Sequence, residues 1–292
     1  MPKSDNKMTS FFKAALVTGG LVVATLAGTA FAAGGGDYAK NFKMKHPHWH
    51  FSGMRGTYDR AAVQRGYQVY REVCASCHTL KHLSFRHLGD KGGPYYDAAF
   101  PNPNDNPYVK AFAADWTLED TDAETGDIIE RPGIPADYFP PIYPNDAAAR
   151  GSNGGALPPD LSVMVSARTD GANYLYNLLI AYDEPMPEGM KMSSGTHFNP
   201  VMDGGAIAMA APLTDGLIEY APIMNPETGE EIAAPDATVD QMALDVTEFL
   251  AWSSDPKMEL RKQTGLATML YLLILSILLW FSYQRVWKNV KH

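Results

Sequence analysis

Cys74-Ala-Ser-Cys77-His78 is the stretch on which the reading of this chain turns, because it holds both cysteines of the 292 residues. A C-x-x-C-H run is the pattern of covalent haem attachment. Two thiols three residues apart at a helix end reach the two vinyl groups of one porphyrin as thioethers, and the adjacent histidine then sits beneath the iron. A redox disulfide of the thioredoxin type needs a βαβ context, and no such alternation surrounds the motif. A zinc site or an iron–sulfur cluster needs more ligands than two cysteines supply.

Upstream of the motif, Val63, Gly66, Tyr67, Tyr70, Val73 and Cys74 recur at the spacing of one helix face, so residues 59–74 are expected to form an amphipathic helix with Asp59 as N-cap. A second helix is expected over 173–182, with Leu175, Leu178, Leu179 and Tyr182 on one face and Asp170 near its start. Thr238-Val-Asp-Gln241 matches a capping box and opens a third, carrying Met242, Val246, Phe249 and Leu250 inward up to Trp252, before Asp255-Pro256 ends it. Between them, residues 92–159 contain eleven prolines that are expected to interrupt any regular element. With 25 glycines and 21 prolines, much of the chain reads as irregular loop, and no strand pattern stands out beyond short extended pieces. Helices with large loops and no sheet need another source of core. A porphyrin supplies a large apolar surface around which such loops can pack.

The iron then needs a sixth ligand or an open position, and that choice separates electron transfer from catalysis. Met186, Met190, Met192, Met202, Met209 and Met224 follow the second helix. Met209 lies in Gly204-Gly-Ala-Ile-Ala-Met-Ala-Ala-Pro212, a small-residue apolar segment able to lie close against a porphyrin edge. Met186, in Glu184-Pro-Met-Pro-Glu188, is the runner-up, with acidic neighbours that suit a surface loop. The histidines at 46, 48, 50, 82, 87 and 197 offer a bis-histidine alternative.

Both ends of the chain carry membrane signals. Residues 1–32 read as a removable export signal: Lys3, Lys7 and Lys13 precede an apolar run, and Ala30-Phe-Ala32 supplies the small-residue cleavage pattern. Removing it takes away three lysines and one aspartate, moving the formal charge from −9 to −11. Residues 264–283 are twenty positions without a charge, enough to cross a bilayer, with Trp280, Tyr283 and Trp287 at interface depth. The expected division is a signal at 1–32, an exported haem domain at 33–257, a transmembrane helix with its approach at 258–284 and a cytoplasmic tail at 285–292.

The acidic balance, 33 Asp and Glu against 24 Lys and Arg, argues against a nucleic-acid partner. Seven carboxylates fall at 115, 119, 120, 122, 124, 127 and 130 with no cation among them, and others follow at 227, 230 and 231. Such a field can steer a basic protein into fast, salt-sensitive docking, or simply keep a loop solvated.

An export signal, one C-x-x-C-H, a distant methionine loop and a C-terminal anchor, in that order, resemble the cytochrome c1 family of the cytochrome bc1 complex. Gly155-Ala-Leu-Pro-Pro-Asp-Leu-Ser162, Ala167-Arg168, Tyr174 in Asn-Tyr-Leu-Tyr, Ala206-Ile-Ala-Met-Ala-Ala-Pro212, Asp245-Val-Thr-Glu-Phe-Leu-Ala-Trp252, Asp255-Pro256, Arg261 and Gly265 are similar to family signatures. The resemblance implies a mainly α, c-type cytochrome fold with long Pro/Gly-rich insertions around one covalently bound haem c, plus one transmembrane helix. It implies thioether links at Cys74 and Cys77, His78 as proximal and Met209 as distal iron ligand, and a pocket lined by Asn153, Pro158, Pro159, Arg168 and Tyr174, with Arg168 facing a propionate. Some bacterial relatives carry a further cysteine pair before the distal ligand. This chain has none, so stiffening of its methionine loop must come from packing.

The implied role is to pass single electrons from the Rieske iron–sulfur protein to a cytochrome c, beside cytochrome b in a dimeric complex of a bacterial inner membrane, with the haem domain periplasmic. No bond is made or broken at such a haem. A membrane-anchored monohaem carrier or oxidase subunit is the alternative, and a haem enzyme, which needs an open iron position, is a third reading.

Overall fold

In the computed structural model of the chain, residues 42–224 and 231–289 are described, so the expected signal and the acidic residues at 227 and 230 lie outside them. Six α-helices occur among the described residues: α1 Arg60–Glu72, α2 Pro107–Ala114, α3 Asp146–Ser152, α4 Gly171–Ile180, α5 Val239–Ser254 and α6 Met258–Trp287. Three antiparallel pairs accompany them: β1 Thr117–Thr121 with β2 Ile128–Pro132, β3 His197–Phe198 with β4 Ala206–Ile207, and β5 Ile223–Met224 with β6 Glu231–Ile232.

The core forms where α1 crosses α5. Tyr67 and Tyr70 reach from α1 to Phe249 of α5, each with ring centroids 5.6 Å from it, and Phe85 and Phe139 close the cluster at 4.3 Å. Gly66 sets how near the two helices come. A Cβ at this position would collide with the carbonyl oxygen of Asp245 and the Cβ of Phe249. Beside that crossing, Arg65 donates two bonds to Asp245, Nε to Oδ2 at 2.9 Å and Nη2 to Oδ1 at 2.7 Å. The Asp245 side chain is 1% exposed and also accepts from the Tyr220 hydroxyl and the Gln241 amide, so its charge is paired and hydrogen-bonded, as a buried carboxylate requires.

Of the three local signals that start these helices, one acts as expected, one in part, and one makes no cap bond. Asp59 caps α1 by accepting from the amides of Ala61 and Ala62. Thr238 caps α5 by accepting from Gln241, but the Gln241 side chain turns to Asp245 and does not complete the reciprocal half of the box. Asp170 stands before α4 in a left-handed conformation, φ +64°, with no side-chain cap bond to the helix.

Residues 92–159 depart from expectation, because they contain regular structure. Pro107 occupies the first turn of α2, where its missing N–H costs nothing, and Asn106 caps the helix through Tyr108 and Val109. The β1–β2 hairpin closes through Asp122, whose carboxylate accepts from Glu124 and Thr125, and through Gly126 at φ +77°. Neither face of this hairpin is buried, so its sequence lacks the alternation that marks a half-buried strand.

The apolar C-terminal segment forms a 30-residue helix, longer than the twenty uncharged positions. Its first turns are polar and belong to the domain: Glu259 accepts from the Tyr58 amide at 3.0 Å, and Lys262 donates to the carbonyls of Phe51 and Gly56. Beyond them the apolar side chains are exposed, and the helix is long and apolar enough to serve as a single-pass membrane anchor.

Candidate cofactor site

The motif sits where α1 ends. Val73 closes the helix, a 3₁₀ turn runs over Cys74–Ser76, and the amides of Cys77 and His78 both bond back to the Cys74 carbonyl. This folds Cys74, Cys77 and His78 into one tight turn. Tyr70, one helical turn before Cys74, donates its hydroxyl to the His78 carbonyl at 3.1 Å and pins the turn to the core.

The His78 ring is oriented by a partner distant in sequence. Its Nδ1 lies 2.7 Å from the Pro159 carbonyl oxygen, an acceptor that requires the proton on Nδ1. Nε2 is thereby left as a lone-pair donor, the form in which imidazole binds a metal. Burial lowers the ring's affinity for a second proton, against the opposing effects of the Pro159 carbonyl and Asp160. Residues 159–162 are stapled against 78–82: Leu161 donates to Thr79, Lys81 and Ser162 donate to the two Asp160 oxygens, and His82 donates to Ser162.

Both cysteines are free thiols. Burial, with Cys77 beside it, pushes the Cys74 thiol up to about 12, opposite to the depressed value of a redox-active cysteine. A buried Cys74 thiol in one turn with Cys77 and an oriented histidine fits attachment of a porphyrin better than thiol exchange.

Of the methionine candidates, Met186 is 49% exposed in its acidic loop. Met202 has its sulfur engaged by the Tyr174 hydroxyl at 3.7 Å. Met209 is half-buried, and its carbonyl accepts from the Tyr182 hydroxyl at 3.1 Å. The segment that carries it is stiffened by hydrogen bonds as well as packing. β3 pairs with β4, the buried Asn199 donates to the Leu178 carbonyl of α4, and its amide bonds to Gly205. The side chain of Met224 lies outside the described residues.

The other expected pocket residues have separate hydrogen-bond partners. Asn153 ends α3 and donates to the Tyr143 hydroxyl and the Ala149 carbonyl. Arg168 is exposed and donates to the adjacent Ala167 carbonyl. Tyr174 reaches Met202. Neither Asn153 nor Arg168 shares a hydrogen bond with His78 or Met209 among the described residues. His87 is committed to capping Ser84, and His46 lies against Asn173. Sequence reasoning missed Tyr70 and Tyr182 as anchors, and their only signal is a tyrosine on the inward face near each ligand segment.

The acidic hairpin is tied to this end of α1. Arg71, three residues before Cys74, donates to the Asp115 carbonyl at 3.4 Å and stacks its guanidinium 4.4 Å from the Trp116 ring centroid. Within the hairpin, Arg131 pairs with Asp120 and Asp137, so Asp120 is already compensated.

A model of the cytochrome C1 family matches residues 49–290. The chain is 38% identical to a cytochrome b/c1 of Bradyrhizobium diazoefficiens over 96% of its own length, and it spans 42% of that longer protein. It is 40% identical to a mitochondrial cytochrome c1-2 heme protein of Solanum tuberosum, covering 93% of this chain and 96% of that one. It is 38% identical to a mitochondrial cytochrome b-c1 complex catalytic subunit of Candida albicans, covering 85% and 79% respectively.

Proposed function

Because the chain belongs to the cytochrome c1 family, we propose that it is the electron-transfer haem subunit of a ubiquinol:cytochrome c oxidoreductase. The observation that carries this reading is the His78 ring, fixed on the Pro159 carbonyl in the same turn as Cys74 and Cys77. Cys74 and Cys77 would hold the porphyrin through thioethers, and His78 and Met209 would ligate its iron. Pro158, Pro159, Asn153, Arg168 and Tyr174 would line the pocket, with the exposed Arg168 guanidinium available to a propionate. When bound, haem c supplies an iron that takes up and releases one electron. The chain's own work is to hold both ligands, keep the pocket dry and keep the potential high through a thioether ligand and burial. Tyr70 and Pro159 fix the proximal side, while Tyr182 and Asn199 fix the distal segment.

In this reading residues 1–32 are a removed export signal, the haem domain is periplasmic, and α6 anchors it in a bacterial inner membrane with residues 285–292 as a cytoplasmic tail. The chain stands beside cytochrome b in a dimeric complex, receives electrons from the Rieske protein and delivers them to a cytochrome c. The exposed β1–β2 hairpin, tied to α1 close to Cys74, presents Glu119, Asp122, Glu124, Asp127 and Glu130 to a basic acceptor. Isolation of the chain from native membranes in mild detergent tests the assignment. Recovery with a b-type cytochrome and a Rieske iron–sulfur signal is expected. Recovery alone, with a ferrous haem that binds carbon monoxide readily, would point instead to an open-site haem protein.

A further inference from the structure

The start of α6 and the segment 87–92 enclose a cleft of about 370 Å³ whose rim carries three cations, Arg60, Lys91 and Lys257. None of the three forms a salt bridge among the described residues, and all are exposed. Two carboxylates share the cleft: Glu259 is engaged by the Tyr58 amide, and Asp90 faces His87. A second, shallow and open groove of about 570 Å³, lined by α6 and its N-cap alone, continues from it, sharing Lys257 and Leu260 and descending past Arg261, Thr264 and Gly265 to Met269. From Leu260 to Met269 the helix advances roughly 14 Å. The uncharged run begins at Thr264, so the basic rim lies at the edge of the hydrocarbon and the lower groove lies within it.

A basic cleft at headgroup level above an open apolar helix face has the polarity of one phospholipid molecule. Resting on the reading of α6 as a membrane anchor, we propose that this cleft and groove hold an anionic phospholipid of the leaflet on the haem-domain side. Its phosphate lies among Arg60, Lys91 and Lys257, and one acyl chain lies along Leu260, Thr264, Thr268 and Met269. Unpaired juxtamembrane cations attract anionic headgroups, and here they converge on a cleft instead of spreading over a surface. Bound lipid fills the gap between α6 and the 87–92 segment and braces the anchor against the haem domain.

The test uses the full-length, haem-loaded protein in nanodiscs of phosphatidylcholine containing a minor fraction of phosphatidylglycerol with the same acyl chains. Native mass spectrometry reads the lipid retained, and a photoactivatable acyl chain on the phosphatidylglycerol reports where it lies. Selective retention of phosphatidylglycerol with crosslinks at Thr268 or Met269 is expected. A Lys91→Gln/Lys257→Gln double variant should lose about tenfold or more of that preference, whereas Lys191→Gln, an exposed cation in another loop, should keep it. The haem spectrum and flotation with neutral vesicles show that each variant is folded and anchored. Equal retention of the two lipids, or an unaltered preference in the double variant, overturns the proposal. So does displacement of phosphatidylglycerol by inorganic phosphate at matched concentration, which would make this a free-anion site, or crosslinking near Met269 to a protein helix only. Failure to float with neutral vesicles would overturn the anchor itself.

Discussion

Glu248 should make the stability of this domain fall as pH rises from about 4.5 to about 7. It is buried on α5, accepts from the Asp59 amide at 3.2 Å, and faces the carboxylates of Asp59 and Asp245 and the phenol of Tyr58. Burial, followed by those like charges, raises it from 4.5 to about 7, so the folded protein holds a proton that the unfolded chain releases above about pH 4.5. A folded-state value above the unfolded one lowers stability as pH rises between the two, and the gap corresponds to about 3 kcal/mol once both states are ionised. Glu248→Gln keeps an oxygen for the Asp59 amide and removes the charge. Denaturant unfolding of the full-length protein in detergent should show variant and wild type similar near about pH 4.5, with the variant more stable by up to about 3 kcal/mol near pH 8. A difference that does not grow with pH would refute the assignment of a neutral, buried Glu248.

Replacing Arg65 by Leu leaves the Asp245 charge buried with two neutral donors, and should cost about 3 kcal/mol in the same unfolding assay, at the low end for a broken buried pair because Tyr220 and Gln241 remain. Gly66→Ala forces α1 away from the Asp245 backbone and should cost about 2 kcal/mol or more, seen as a lowered denaturation midpoint. Converting Glu119, Asp122, Glu124, Asp127 and Glu130 to amides should slow reduction of a basic acceptor cytochrome about tenfold at low salt, an effect that vanishes in stopped-flow traces near 1 M salt. Asp120→Asn should add little, since Arg131 already holds that carboxylate.

The parts of the fold legible in the sequence are those governed by local periodicity and caps. The α1 stripe is an example, since Val63, Gly66, Tyr67 and Tyr70 of the expected face are all buried. The hairpin was not legible, because a strand pair exposed on both faces leaves no alternation, and its closure depends on Asp122 folding back on its own loop. Nor does a count of prolines locate helices, since Pro107 starts one where an interior proline would break it. At the site, the motif shows which residues carry the chemistry, but not what orients them. The Pro159 carbonyl that sets the His78 tautomer is 81 positions away, and proline presents only an acceptor whose direction depends on the whole 159–162 staple. Likewise the sequence offered six methionines. The structure separates Met209 from Met202 through two tyrosine hydroxyls, one on a backbone carbonyl and one on a sulfur.

Redox potentiometry of Met209→Leu, with carbon monoxide binding read on the same sample, tests the central claim most directly. If His78 and Met209 hold the iron between them, the wild-type ferrous protein excludes carbon monoxide, while the variant binds it and its midpoint potential falls sharply. An unchanged potential with carbon monoxide still excluded would contradict the account and move the distal ligand to another residue, Met186 first.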